Sequence, residues 1–435
     1  MLKPQNYRWY VVGILSLAYM FSFIDRMIMS LLVEPIRTDL GISDTQISLL
    51  IGFAFALFYT CLGVPIALLA DRTKRRTLIA AGIAVWCLMT VACGLARNFW
   101  QLFFARMGVG VGEATLSPAA NSLIGDYFPR RLLGRAIAVY TMGISIGSGI
   151  ALILGGEIVA WVTEIGGISL PIIGELKAWQ AAFMIVGIPG LIVAALMFTI
   201  REPERRQRLQ TEPVPLADAF RFIWSQRKTY GPHFLGLSVT TVMAYGYLAW
   251  VPTLFIRVYD WPIERIGLVY GLIMLVFGIL GSFLGGGLSD KLFARGITDA
   301  HWRVMIGGVG LLIPAYIFVS LVPSPVWAMV LLAPGIVGGS MPATAGPAAL
   351  IVVTPNEMRA LVSSLYYFVI NLIGLTIGPT AIALLTDYYF KDTADLPYSM
   401  AIVAAISWIS SLLVLIWGLK HYRRSVAKAA SWAKD

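Results

Sequence analysis

The chain of 435 residues contains only three cysteines and three histidines. Cys61, Cys87 and Cys93 all fall inside apolar runs, where they read as small hydrophobes in helix packing, so neither a disulfide framework nor a metal cluster is expected. His233, His301 and His421 are assigned no chemistry. Charge is scarce as well. Asp, Glu, Lys and Arg together make up 13% of the residues against 58% hydrophobic ones, whereas a soluble domain carries about a quarter charged. That balance excludes an ordinary soluble globular domain. No G-x-x-x-x-G-K-[ST] loop is present, so ATP is not expected to drive the protein. A repeated pore-loop signature and a nucleophile–base constellation in the membrane are also missing, which argues against a channel or an enzyme. No cofactor is expected. GVGVGE at 108–113 has no soluble strand before it and reads as close helix packing through small residues.

What the chain does have is long apolar runs. A span across a hydrocarbon core of about 30 Å needs about 20 mostly apolar residues. Twelve segments qualify, roughly 8–33, 46–70, 77–96, 99–122, 135–160, 180–200, 232–256, 264–288, 303–322, 325–352, 360–386 and 398–420. The expectation is an all-α membrane protein of twelve transmembrane helices in two six-helix bundles, with an uncleaved first helix. The bundles cover 1–200 and 229–420, joined by a cytoplasmic linker at 201–228 and followed by a cytoplasmic tail at 421–435. The linker is basic, then Pro-interrupted, then amphipathic from Leu216 to Trp224, as a short interfacial helix would be.

The net charge of +10 belongs to orientation and not to nucleic acid. Threaded through twelve spans, the basic residues gather on one side, at Arg72 to Arg76, Arg130 to Arg135, Arg201 to Lys228, Lys291 to Arg303 and Lys420 onward. The other side holds only Arg37, Arg97, Lys177, Arg257, Arg265 and Lys391, with acids such as Glu34, Asp39, Asp44 and Glu175. The positive-inside rule then places both termini in the cytoplasm. Short connections and the lack of an N-x-[ST] sequon point to a bacterial inner membrane.

The chain also repeats itself. Asp71 and Asp290 are 219 residues apart, and the same offset relates Ala67 to Gly286, Leu49 to Leu268 and Ile47 to Ile266. Two halves descended from one bundle imply a site between them, reached from either side in turn. The acid after helix 2, with Arg72, Arg75 and Arg76 beside it, is a candidate gating latch, and its second copy at Asp290 and Lys291 supports that reading.

Charges inside the membrane mark the candidate site. Each costs at least about 2.5–3.5 kcal/mol at mid-span. Asp25, Arg26 and Glu113 lie far from helix ends. Asp25 and Arg26 point about 100° apart on one helix, which leaves Arg26 free to reach Glu113 while Asp25 faces elsewhere. Arg106 and Glu157 stand open between structural and functional roles. At the repeat offset Asp25 matches Ala244 and Arg26 matches Tyr245, and no acid occurs between Asp299 and Glu357. The second half instead offers Tyr245, Tyr247, Trp250, Ser340, Thr344, Tyr366, Tyr367 and Asn371. Of these, Tyr245, Trp250, Ser340, Thr344, Tyr367 and Asn371 are taken as substrate-binding together with Arg26 and Glu113. One charged wall and one apolar-aromatic wall suit an amphipathic anion.

Residues 67–76, ALLADRTKRR, resemble the major facilitator loop motif G-x-L-A-D-R-x-G-R-R, with Ala67 and Lys74 in place of its glycines. Asp25–Arg26 in helix 1 together with Arg106, Gly110, Gly112, Glu113, Ala114 and the following IGDYF resemble the spinster branch of that superfamily, which carries sphingolipids and lysolipids. Branches carrying sugar acids share part of this pattern. The resemblance implies the major facilitator fold, a lipid-like substrate and a protonatable Asp25. The expected function is secondary active transport of an amphipathic anion by alternating access, coupled to protons through Asp25 and Glu113. The alternative is proton-coupled transport of small organic anions or drugs. The partners expected are the lipid bilayer, the substrate and protons, with the protein acting as a monomer.

Overall fold

The structure, a computed structural model, describes residues 4–171, 174–203 and 215–432. Nearly all of it is helix, because within a bilayer only a helix or a closed barrel satisfies every backbone group internally. The first half comprises α1 (Pro4–Leu31), α2 (Val33–Leu40), α3 (Asp44–Ser48), α4 (Ala54–Arg72), α5 (Arg75–Gly94), α6 (Phe99–Glu113), α7 (Leu116–Tyr127), α8 (Arg130–Glu164) and α9 (Ala178–Leu196). After it come α10 (Leu216–Ser225), α11 (Arg227–Tyr259), α12 (Ile263–Ala294), α13 (Ala300–Leu321), α14 (Pro325–Val352), α15 (Arg359–Leu384) and α16 (Leu396–Trp432). The strands β1 (Ile168–Leu170) and β2 (Gly174–Leu176) form one antiparallel hairpin, with Ile168 opposite Leu176.

Among the described residues, eleven helices are long and apolar enough to cross a membrane. The twelfth expected span is α6 and α7 together, broken between Glu113 and Leu116. Pro118 explains the break: it has no N–H for the carbonyl of Ala114, and its ring crowds that carbonyl. Thr115 turns its hydroxyl back to the Gly112 carbonyl at 2.8 Å. Between α1 and α4 the chain turns twice. Gly41, with φ +61°, ends α2 in the left-handed region that favours glycine. Ser43 and Gln46 then form a capping box that starts α3. A π-helical stretch, Leu49–Phe53, carries α3 into α4.

The chain divides into two compact units. Unit 1 is Met1–Leu209 with Leu248–Leu275, so the end of α11 and the start of α12 join the first six spans. Within it α1 packs on α8 and α5 on α9. Against α8, a Cβ on Gly271 would come within 2.7 Å of the Gly149 carbonyl oxygen, which makes this a seam only glycine permits. Unit 2 is Gln210–Tyr247 with Val276–Asp435, and within it α13 packs on α14 and α16. On α10, Leu216, Phe220 and Trp224 are exposed at four-residue spacing while Ala219 is buried. The expected linker at 201–228 lies partly outside the described residues. The expected tail at 421–435 begins as the last turns of α16.

Candidate functional site

On α1, Ser22 and Arg26 are four residues apart and share one face. Both turn to Glu113, the last residue of α6. One oxygen of that carboxylate, Oε2, accepts from Ser22 Oγ at 2.5 Å and from Arg26 Nε and Nη2 at 2.6 Å each. Glu113 sits at the negative end of a helix dipole, so it needs this cation. The guanidinium in turn lies in an aromatic cage, 4.9 Å from the Phe23 ring centroid, 4.6 Å from Phe55 and 4.4 Å from Tyr59. Such ring faces stabilise a cation by about 0.5–2 kcal/mol each. The second oxygen of Glu113, Oε1, is buried and has no hydrogen-bond partner among the described residues.

Asp25 faces away from Arg26, as one residue's rotation about the helix requires. Its side chain is buried and Oδ1 has no hydrogen-bond partner among the described residues. Arg106, also buried, donates to the backbone carbonyls of Leu50 at 3.3 Å and Asp25 at 3.4 Å. It therefore supports the backbone of α1 behind the acid and does not form an ion pair with it. Asp25 and Glu113 are thus two buried carboxylates, each with one oxygen that has no hydrogen-bond partner among the described residues.

The other expected substrate residues fall in four places. In unit 2, the Tyr245 hydroxyl donates to Asn371 Oδ1 at 3.2 Å, which joins α11 to α15. Ser340 and Thr344 lie one turn apart on α14, and their hydroxyls return to their own helix, at Ile336 O (2.9 Å) and Ser340 O (2.8 Å). Tyr367 is exposed whereas its neighbour Tyr366 is buried. Trp250 belongs to unit 1 and is fully buried.

Of the loop motif, Arg75 and Arg76 are the described part, since the side chains of Asp71 and Arg72 lie outside the described ones. Arg75 donates to Asp126 at 2.5 Å, to Ser122 at 2.8 Å and to Glu202 at 2.8 Å. Glu202 also accepts from the Arg76 backbone N–H at 3.1 Å. The motif thus ties the start of α5 to α7 and to the chain beyond α9. Asp290 and Lys291 in the second copy are exposed.

One charged cluster escaped the sequence reading. Arg257, in the last turns of α11, donates from Nε to Glu34 at 2.8 Å and from Nη1 and Nη2 to the two oxygens of Asp44 at 2.8 and 3.1 Å. Its Nη2 also reaches Glu34. Arg37 completes the cluster at 3.4 Å from Glu34. The Asp44 side chain is fully buried and that of Arg257 is 9% exposed. All four residues belong to unit 1. The charge count put each of them on the outer side, but Arg257 is 213 residues from Asp44, and no local spacing links them.

Comparison with known proteins adds four findings. The family described as Major Facilitator Superfamily matches residues 15–374. A crystal structure of a bacterial homologue of the human lysosomal transporter spinster, in an inward-facing and unoccupied conformation, is 27% identical with a TM-score of 0.80 and covers 99% of each chain. An MFS-type efflux pump of Mycolicibacterium smegmatis is 26% identical over 430 residues, 97% of this chain and 95% of the pump. The probable L-galactonate transporter of Escherichia coli is 25% identical over 308 residues, 67% of this chain and 63% of that protein.

Proposed function

The chain belongs to the major facilitator superfamily, and from that premise we propose that it is a proton-coupled secondary transporter of an amphipathic anion of the lysolipid or sphingolipid class. It is an integral, multi-pass membrane transporter with the all-α fold of that superfamily, and it resembles the spinster branch. The observation that carries the finer reading is the Arg26–Glu113 pair in its aromatic cage, with one oxygen of Glu113 and one of Asp25 left unpartnered.

The chemistry runs as an exchange of partners. An anionic head competes with Glu113 for the Arg26 guanidinium, which offers a planar fork to a carboxylate or phosphate. Released from Arg26, Glu113 is a buried acid without its cation and takes a proton. Phe23, Phe55 and Tyr59 around the guanidinium receive the apolar part of the substrate next to the head. Asp25, on the neighbouring face of α1, takes or loses its proton as water access changes, so its protonation favours one state through their difference in stability. Tyr245, Trp250, Ser340, Thr344, Tyr367 and Asn371 supply the neutral contacts. Asp71, Arg72, Arg75, Arg76, Asp290 and Lys291 act as the inner gate, while Arg257 with Glu34 and Asp44 acts as the outer one. The protein works as a monomer in a bacterial inner membrane, with both termini and the 201–228 connection in the cytoplasm.

The similarity to a probable L-galactonate transporter favours a second reading, in which the anion is a small sugar acid on the same Arg26. Flux into liposomes separates the two. With a pH gradient imposed, lysophosphatidylglycerol is expected to move in wild type and L-galactonate is not. Asp25→Asn is expected to abolish the response to the gradient. Gradient-driven L-galactonate flux without lysolipid flux selects the second reading. An unchanged pH response in Asp25→Asn removes Asp25 from the coupling.

A further inference from the structure

At one end of unit 1 a crevice of about 1190 Å³ opens between the last turns of α5, the first turns of α6, the end of α2 and the β1–β2 hairpin. Its two levels differ in chemistry. The floor is apolar: Met89 and Ala92 on α5 and Leu95 at its C-cap succeed one another at helical spacing, and Phe104 and Ala105 face them from α6. The small alanines leave the seam hollow. Deeper in, it closes, because Met89 Cγ lies 2.5 Å from where a Cβ on Gly108 would sit. Leu95 to Met89 is about 9 Å along a helix axis, so the crevice reaches from the end of the spans into the hydrocarbon region. Leu88, Trp100 and Phe104 beside it are 52%, 62% and 60% exposed. On membrane spans such apolar surface is covered by lipid.

The rim is polar and held in place by its own hydrogen bonds. Asp39 pairs with the Lys177 ammonium and accepts from Trp179 Nε1 at 2.8 Å. Gln180 accepts from the Lys177 backbone N–H at 3.1 Å and donates to the Ala96 carbonyl at 3.0 Å. Gln101 accepts from the Arg97 backbone N–H at 2.7 Å. With Asp39 and Lys177 matched to each other, two charges remain on the rim. Arg97 and Glu175 are both exposed and neither has an ion-pair partner among the described residues.

One unmatched cation and one unmatched anion above an apolar slot complement a zwitterion carried on an acyl chain. We infer that this crevice docks a single outer-leaflet phospholipid with a zwitterionic, ammonium-bearing head. The phosphate meets Arg97, the ammonium meets Glu175, and one acyl chain lies along Met89, Ala92, Leu95 and Phe104. A purely anionic head leaves Glu175 facing like charge, and a neutral apolar ligand leaves both rim charges unused. The site shares no lining residue with the Arg26–Glu113 pair, so it stands whatever the transported substrate is.

The test is photolabelling of the full chain in detergent with two probes, lysophosphatidylethanolamine and lysophosphatidylglycerol, each with a diazirine in its acyl chain. Adducts are mapped by peptide mass spectrometry. The ethanolamine probe is expected to label residues 85–107 about tenfold more than the glycerol probe, the worth of one charge-assisted contact. Arg97→Glu weakens labelling by both probes. Glu175→Lys reverses the preference toward the glycerol probe. Both positions are exposed, so these variants fold, and unchanged gel-filtration elution verifies that. Ala105→Trp fills the floor and removes the adducts. Equal labelling by the two probes, or wild-type labelling in folded Arg97→Glu and Glu175→Lys, overturns the inference. So does competition by free phosphoethanolamine at the concentration at which unlabelled lysophosphatidylethanolamine competes, because the chain would then contribute nothing.

Discussion

Unit 1 buries charge where unit 2 buries neutral polar groups. Unit 1 holds Asp25, Arg26, Arg106 and Glu113 within its helices, together with Arg257 clamped by Glu34 and Asp44. Unit 2 joins its helices through neutral pairs: Tyr245 with Asn371, Tyr247 with Ser320 at 2.8 Å, Thr240 with Ser411 at 2.7 Å and Thr229 with Ser425 at 2.8 Å. Its main charged network, Asp299 with Arg303 and Arg423, lies at the start of α13 with half-exposed arginines. Neutral pairs of this kind contribute about 0.5–1.5 kcal/mol each and carry little risk. A buried ion pair is at best neutral against an apolar replacement and costs about 3–5 kcal/mol when one partner is lost. Selection for stability alone would favour the composition of unit 2 everywhere. Stability alone therefore does not account for the buried charges of unit 1.

The largest effect that bears on this contrast comes from Arg26→Ala. It leaves Glu113 buried without its cation, at about 3–5 kcal/mol if Glu113 stays ionised. Transport is expected to vanish. Adding Glu113→Gln removes the stranded charge, so the double variant should regain most of its thermal midpoint while transport stays absent. A destabilisation no greater than that of a single hydroxyl deletion in unit 2, or wild-type flux in either variant, would break the contrast.

Arg257→Ala comes next, at about 2–5 kcal/mol, because it leaves the fully buried Asp44 with the more distant Arg37 at 3.8 Å. Arg257→Lys keeps the charge and loses the fork that serves two carboxylates at once, so it should fall between wild type and alanine. Thermal midpoints of the three proteins in one detergent give the order. A lysine variant as stable as wild type would mean that charge alone holds the cluster. Tyr245→Phe is the neutral counterpart in unit 2. It removes one hydrogen bond of 3.2 Å and should cost about 1 kcal/mol, read as a small drop in midpoint. A loss as large as that of Arg257→Ala would place Tyr245 in the same class as the buried charges.

Much of this was legible in the sequence, for physical reasons that differ from place to place. Spans are legible because a bilayer imposes length and apolarity on each of them separately. Arg26 and Glu113 stand out because any charge in such a run is costly, even though they lie 87 residues apart. The break between α6 and α7 depends on Pro118 against the carbonyl of Ala114, a local signal that lies inside an apolar run and is masked by it. The hairpin at Ile168–Leu176 is too short to show a period of two. Arg257 with Glu34 and Asp44 is invisible for another reason: the partners meet only through tertiary packing across more than 200 residues of chain. The hydroxyls of Ser340 and Thr344 return to their own helix, an option that any membrane serine or threonine has and that sequence alone does not distinguish from ligand contact.

The smallest effect sharpens the contrast by separating charge from burial. Burial pushes the Asp299 carboxyl up, but hydrogen bonds from Arg423 and Arg303 outweigh it and hold the group below its ordinary value. A carboxyl with a depressed folded value contributes stability above its unfolded value of about 3.9, and that contribution is lost only as pH falls through the lower folded value. Across pH 5 to 8 the group is ionised in both states, so its contribution is constant there. Its partners are 47% and 50% exposed, and water screens much of the attraction, so Asp299→Asn should cost less than about 1 kcal/mol. The difference in thermal midpoint between wild type and Asp299→Asn should then be small and the same at pH 5 and pH 8. A difference that shrinks toward pH 5 would show Asp299 titrating in that range, against the direction its arginines impose. A large, pH-independent loss would show that even a charge with half-exposed partners is costly to disturb in unit 2, and burial would no longer explain why the two units differ.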